Sequence, residues 1–207
     1  MILLDKYTVY VNNKSLFAPV DLHVQAGHCA VIMGTSGVGK TSLLNSLCSG
    51  LTDLHTTGYH NISERHMVFQ DSNQLFPWLT IRENLNLTTE IDYMPLVNKW
   101  KLESLLDNTP DQISGGQRQR FTLLRAVCSG KKIILCDEPL SALDAITGLQ
   151  IANDFRKLVA EQMLTVIWVT HNFTEAKAVG NQIYYLSERG LHDITDEDDL
   201  YATILNG

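Results

Sequence analysis

The run CAVIMGTSGVGKTSLLNSL, residues 29–47, limits the fold more than any other part of this chain. Its first five residues are apolar without interruption, as in a strand buried on both faces of a parallel sheet. The strand leads into a loop where Gly34, Gly37 and Gly39 let the backbone curl until its N–H groups point at one spot. Beyond the loop, Leu43, Leu44 and Leu47 recur at helical spacing, which predicts a helix over 41–48 with Gly50 as its C-cap. Strand, GxxxxGK[ST] and helix in this order form a cradle for a nucleoside triphosphate. Gly34, Thr35, Ser36, Gly37, Val38 and Gly39 supply the loop, and Ser42 lies in the first helical turn. Lys40 is expected to reach the β- and γ-phosphates and the Thr41 hydroxyl to ligate magnesium. Kinases, GTPases, helicases and transporters all use such a loop, so the cradle alone leaves the use of the energy open.

The flanking pattern belongs to an α/β protein. Before the loop, TVYVNN and VDLHVQ alternate apolar and polar residues as half-buried antiparallel strands do, and AGH at 26–28 turns into the buried strand. ERHMVFQ reads as a strand ending at Gln70. Residues 75–126 are mostly helical in pattern, with LESLL and RFTLLRAVC the clearest parts. KKIILCDEP, LTVIWVTH and QIYYLSE are three further strands of a parallel sheet. The first two place a polar residue directly after the apolar run, at the strand end where open α/β sheets bind ligands. SERGLHDIT predicts a late hairpin turning at Arg189-Gly190, and DEDDL the start of a solvated terminal helix.

Composition narrows the classes. With 207 residues, 44% hydrophobic and 19% charged, the chain can bury a sizeable core and is not of disordered type. A formal charge of −7 argues against nucleic-acid binding, which needs a basic face. No apolar run approaches the ~20 residues of a membrane span. The start, MILLDKYTVY, lacks the basic leader of a signal peptide. A cytosolic protein is expected, reaching a membrane only through a partner. Cys29, Cys48, Cys128 and Cys136 form no CxxC pair and read as reduced and buried. His55, His60 and His66 fall in one loop-like region whose spacing fits no zinc pattern.

Two further motifs carry chemistry. In IILCDEP a buried strand delivers Asp137 to the sheet edge, where its carboxylate can hold a magnesium shell. Glu138, one step on, is placed to polarise an attacking water. ISGGQRQR, residues 113–120, puts a serine and two glycines just before a helix, which makes a second anion-binding terminus. A single chain with one nucleotide has no evident need for two.

At this point the residues resemble the ATP-binding subunit of an ABC transporter, similar to small bacterial importer ATPases. ISGGQ resembles that family's signature motif, with Ile113 where leucine is usual. The resemblance runs in order along nearly the whole chain: Gln70 in MVFQDSNQLFPWLTIREN as the Q-loop, SALD at 141–144 as the D-loop, and His171 in VTHN as the switch histidine. Tyr10 matches the aromatic that stacks on adenine, one residue off the usual spacing. The resemblance implies a single ABC ATPase domain over 1–207. Its parts would be a P-loop core with a mostly parallel sheet, an N-terminal antiparallel β subdomain, and a helical subdomain at about 73–126 inserted before the signature motif. It implies ATP and Mg2+ as ligands, the metal held by Thr41, Gln70 and Asp137. It also implies two subunits packed head to tail, a homodimer being expected. Ser114, Gly115, Gly116 and Gln117 of one subunit would then cap the ATP of the other, with Asp144 joining the half-sites. Glu138, His171 and Gln70 would be the catalytic set.

The family also implies transmembrane permease subunits in separate chains, with a substrate-binding protein where the system imports, and attachment at the cytoplasmic side of the inner membrane. Its groove near the Q-loop receives a helix of the membrane subunit. Phe76, Pro77 and Trp78 in LFPWLTIREN either line that groove or pack inside the helical subdomain. The helical segment is short for the family, and the chain ends soon after the late hairpin, so control by an appended regulatory domain is not expected. A kinase or GTPase would not need SGGQ, and NKWK at 98–101 lacks the aspartate of a guanine-reading NKxD. DNA-repair relatives carry long coiled coils and ribosomal ones fuse two ATPase units, neither of which is present. An exporter or lipoprotein-release ATPase shares the same catalytic motifs and stays open, as does the transported substrate.

Overall fold

The computed structural model describes residues 1–48, 54–70 and 74–196. Two sheets organise them. The first is antiparallel: β1 (Ile2–Val11) pairs with β2 (Lys14–Ser15), with β3 (Val20–Val24) and, on its other edge, with a strand at His55–His60. The second has six strands. Its centre is β4 (Cys29–Met33), the apolar run before the glycine loop, which α1 (Lys40–Ser46) follows. With the His55–His60 strand as β5, the sheet continues through β6 (Arg65–Val68), β7 (Ile133–Asp137), β8 (Thr165–Val169), β9 (Gln182–Ser187) and β10 (Gly190–Asp193). The order is β10-β9-β4-β8-β7-β6, parallel throughout except for the β9–β10 hairpin.

Between β6 and β7 lie the helices α2 (Ile81–Thr88), α3 (Met94–Lys99) and α4 (Gly115–Val127), with single 3-10 turns at Glu103–Leu105 and Pro110–Gln112. The 17-residue α5 (Ala145–Glu161) and the short α6 (Phe173–Val179) complete the crossovers. β4, β7 and β8 are buried at every position, as their uninterrupted apolar runs require. Alternate residues feed opposite cores. Cys29, Val31, Met33, Cys136 and Trp168 face one cluster with α4 and α5, whereas Ala30, Ile32, Leu135 and Ile167 face the other with α1 and the antiparallel sheet. Trp168 packs on Phe155 of α5 with ring centroids 5.2 Å apart.

Four expectations need correction. β6 ends at Val68, two residues before the expected Gln70. His55 and His60 lie in β5, not in a loop, and His66 lies in β6. β5 is polar and largely exposed because one face is open to solvent, so no apolar alternation marks it. The late hairpin turns at Glu188-Arg189, one residue before the expected pair, and Gly190 opens β10 with φ +109°. α1 begins at Lys40, one residue early. The cysteines are free and buried, as their spacing suggested. Gly50, and all of DEDDL beyond Asp196, lie outside the described residues. Among the described residues no helix is long and apolar enough to cross a membrane.

Candidate active site

Four neighbouring strands in the order β4-β8-β7-β6 end at one edge of the sheet. The residues at or just beyond those ends are Gly34, Thr170-His171, Asp137-Glu138 and Phe69-Gln70. Residues separated by up to 137 positions in the chain thus meet because parallel pairing brings carboxyl ends together.

The glycine loop is shaped by close approaches. A Cβ on Gly34 would lie 2.6 Å from the Leu186 carbonyl oxygen on β9, so only glycine fits there. Gly39 is the N-cap of α1 with φ +106°, and Leu16 and Phe17 press against the space a Cβ would need. The Lys40 Nζ donates to the carbonyls of Gly34 and Thr35, both at 2.9 Å, which ties the ammonium across the loop. Burial lowers the Lys40 pKa, while Glu138 and Asp137 act in the opposite direction.

Asp137 is buried and, among the described residues, its Oδ1 has no hydrogen-bond partner. Desolvation raises its pKa, Glu138 raises it further, and the Thr41 hydroxyl and Lys40 lower it. An orphaned buried carboxylate oxygen beside a threonine hydroxyl fits a hard cation that takes one or two protein oxygens and completes its shell elsewhere. Glu138 stands at φ +43°, a left-handed backbone that a non-glycine residue adopts only where its surroundings hold it. Its N–H donates to the Val169 carbonyl at 2.9 Å, which fixes this turn to β8. The Glu138 Oε2 accepts from Gln70 Nε2 at 3.3 Å and meets His171 Nδ1 at 3.1 Å. Two residues from two strand ends therefore converge on one carboxylate oxygen at a third. The Glu138 side chain is 18% exposed and that of His171 66%, so the group opens to solvent on the histidine side.

The signature segment forms a separate group. Ser114 caps α4 and closes a reciprocal box with Gln117: Gln117 N–H donates to Ser114 Oγ at 3.3 Å, and Ser114 N–H to Gln117 Oε1 at 2.9 Å. Asp144 caps α5 through Thr147 N–H at 3.0 Å, and that bond holds its carboxyl below the ordinary range. A Cβ on Gly116 would lie 2.8 Å from Thr147 Cγ2, so the two capped helix starts pack closely. Ser114, Gly115 and Asp144 are exposed. Among the described residues no hydrogen bond joins Ser114 or Asp144 to Lys40, Glu138 or His171.

Tyr10 lies near the end of β1, half-buried, edge-on to His55 with centroids 5.2 Å apart. Trp78 is 73% exposed and Phe76 38%, their rings 5.6 Å apart. That removes the alternative in which both pack inside the helices. Two residues of this region escape sequence reading. The Gln74 amide accepts from Phe69 N–H at 3.1 Å and donates to the Phe69 carbonyl at 2.8 Å, tying Gln74 to the residue before Gln70. Buried Arg125 on α4 donates to the Gln74 carbonyl at 2.6 Å. Its one signal was a lone charge inside the apolar run FTLLRAVC.

The architecture is that of a P-loop ATPase with a second capped-helix motif on its surface. The ABC transporter family model matches residues 17–141. The chain is 34% identical over 199 residues to the thiamine import ATP-binding protein ThiQ of Vibrio vulnificus, covering 86% of this chain and 84% of that one. It is likewise 34% identical over 188 residues to the aliphatic sulfonates import ATP-binding protein SsuB of Pseudomonas putida, covering 84% and 68%. A bacterial ABC transporter cassette solved as a dimer superposes with TM-score 0.73 at 29% identity, covering 93% of this chain and 97% of the other. An inward-facing metal-chelate type ABC transporter gives TM-score 0.83 over 99% of this chain and 87% of that one, at 22% identity a likeness of fold alone. The chain belongs to the ABC transporter family. Within it, the chain is an ATP-binding ATPase subunit, homologous to importer ATP-binding proteins.

Proposed function

We propose that this chain hydrolyses ATP at a site shared between two copies and drives an importer whose membrane-spanning subunits are separate chains. The observation that carries the reading is the convergence of Gln70 and His171 on the Glu138 carboxylate, beside Lys40 and Asp137. Glu138 accepts the proton of the attacking water, Gln70 and His171 orient that water and the γ-phosphate, and Lys40 with the loop of residues 34–42 neutralises the phosphates. Tyr10 offers its ring to the adenine. Thr41, Asp137 and Gln70 would hold Mg2+, which neutralises charge on the β- and γ-phosphate oxygens when bound.

The separation of Ser114–Gln117 and Asp144 from the chain's own phosphate loop supports a second copy as their target. Their exposed, pre-capped helix start offers a ready anion site to a neighbour's γ-phosphate. ATP then clamps the pair and hydrolysis releases it, a population shift set by one phosphate. The relatives are named for thiamine and sulfonate import. By that likeness the subunit sits at the cytoplasmic face of a membrane, with a substrate-binding protein as a further component.

Phe76, Pro77 and Trp78, exposed close after Gln74, which is tied to Phe69, form the surface for the membrane subunit. Trp78→Ala should leave stability within about 0.5 kcal/mol, as for other exposed positions. The same change should abolish co-purification with the permease. The test is affinity capture of tagged Glu138→Gln protein, with ATP, from detergent-solubilised host membranes, with and without Trp78→Ala. Capture of a polytopic membrane protein by the first protein and not the second is expected. Capture of ribosomes, DNA or soluble proteins alone would overturn the transport reading and leave the ATPase intact.

A further inference from the structure

Three helices around the site begin with the same pattern, a capping Thr, Ser or Asn followed three residues later by Glu or Gln. At Thr80 and Ser114 the box closes both ways, with Glu83 and Gln117 accepting from the cap's own N–H at 2.8 and 2.9 Å. At α6 it does not. Glu175 N–H donates to Asn172 Oδ1 at 3.1 Å, but the Glu175 carboxylate turns inward. Its Oε1 accepts from the Trp168 indole N–H at 2.6 Å, and the Thr170 side chain lies close enough to help hold the carboxyl's pKa down. The Asn172 N–H, which a closed box would have satisfied, donates to Thr170 Oγ1 at 3.1 Å instead.

This inward turn costs free energy, because a carboxylate that could stay solvated is buried to 9% exposure. Its desolvation raises the Glu175 pKa, and the Trp168 indole and the Thr170 hydroxyl act against that rise. The partners bracket one residue. Trp168 is on β8, Thr170 comes immediately before His171, and Asn172 immediately after it. The His171 ring is largely exposed and, among the described residues, its side chain is hydrogen-bonded only to Glu138. The place of that ring is therefore set by the backbone of residues 170–172, and Glu175 ties this backbone to the buried face of the sheet.

We propose that Glu175 is a positioning residue for ATP hydrolysis, holding the Thr170–Asn172 turn through Thr170 and Trp168 so that His171 meets the Glu138 carboxylate. The inference rests on the role given to His171 above. The carboxylate acts as a hydrogen-bond acceptor, so an amide oxygen can serve in its place. Misplacing the imidazole by about 1 Å should reduce kcat by roughly 10- to 100-fold. Nucleotide affinity, set by the glycine loop on β4, should not move.

The experiment is steady-state ATPase kinetics and nucleotide titration on Glu175→Ala, Glu175→Gln, Thr170→Val, His171→Ala and the Glu175→Ala/His171→Ala double variant. Glu175→Ala and Thr170→Val should each lose about 10- to 100-fold in kcat with unchanged ATP affinity, and Glu175→Gln should recover most of the rate. The double variant should be no slower than His171→Ala, since coupled residues do not add. Additive losses, or an unchanged kcat in Glu175→Ala, would overturn the proposal. Should Glu175→Ala fail to fold, Thr170→Val decides, and an unchanged rate there overturns it equally. Full activity in His171→Ala would instead remove the histidine from the mechanism, a failure of the site reading, and the proposal would fall with it.

Discussion

Glu138→Gln is expected to slow ATP hydrolysis at least ~10²-fold, the lower end of what a positioned general base contributes. The amide keeps the size and hydrogen-bonding reach of the carboxylate but cannot take a proton from water. Gln70 and His171 both meet Glu138 Oε2, at 3.3 and 3.1 Å, so the change also alters what they can bond. ATP binding should persist, because Lys40 and the glycine loop follow β4, whereas Glu138 follows β7. Single-turnover hydrolysis measured beside equilibrium binding separates the two effects. Wild-type turnover in the variant would remove Glu138 from the base role and leave its left-handed backbone unexplained.

Lys40→Ala should be nearly as damaging, by a different route. The ammonium is held across the loop by the Gly34 and Thr35 carbonyls and lies within the fields of Asp137 and Glu138. Removing it takes away the cation whose charge Asp137 and Glu138 favour. A loss of ~10²–10³ in kcat is expected, the scale found when one donor to developing charge is deleted. The thermal stabilisation that ATP gives the wild type should also vanish, since a ligand stabilises only what it binds. A variant that still gains melting temperature with ATP would show that the loop backbone alone holds the triphosphate.

Much of this was legible because the chemistry sits on segments with strong local signals. The buried runs before Gly34, Asp137 and Thr170 read as central strands, and the last two delivered a polar residue to the edge where the glycine loop begins. β5 was not legible: an exposed strand with threonines and a glycine carries no alternation, and only its partner β1 makes it a strand. α5, the longest helix, went unread because its Thr147 and Gly148 interrupt the start of its apolar face. Trp78 shows the limit of composition. Its sequence reads equally as core or as contact surface, and only tertiary packing leaves it exposed. Glu175 lay hidden for the opposite reason, because its pattern predicts an ordinary surface cap while the fold turns the carboxylate inward.

The shared site is the claim on which the rest depends, and sedimentation of purified Glu138→Gln protein with Mg2+ and either ATP or ADP tests it most directly. A dimer with ATP and a monomer with ADP are expected, with loss of the ATP dimer in a Ser114→Arg background. A protein that remains monomeric with saturating ATP, or a dimer indifferent to the nucleotide and to Ser114, would contradict it.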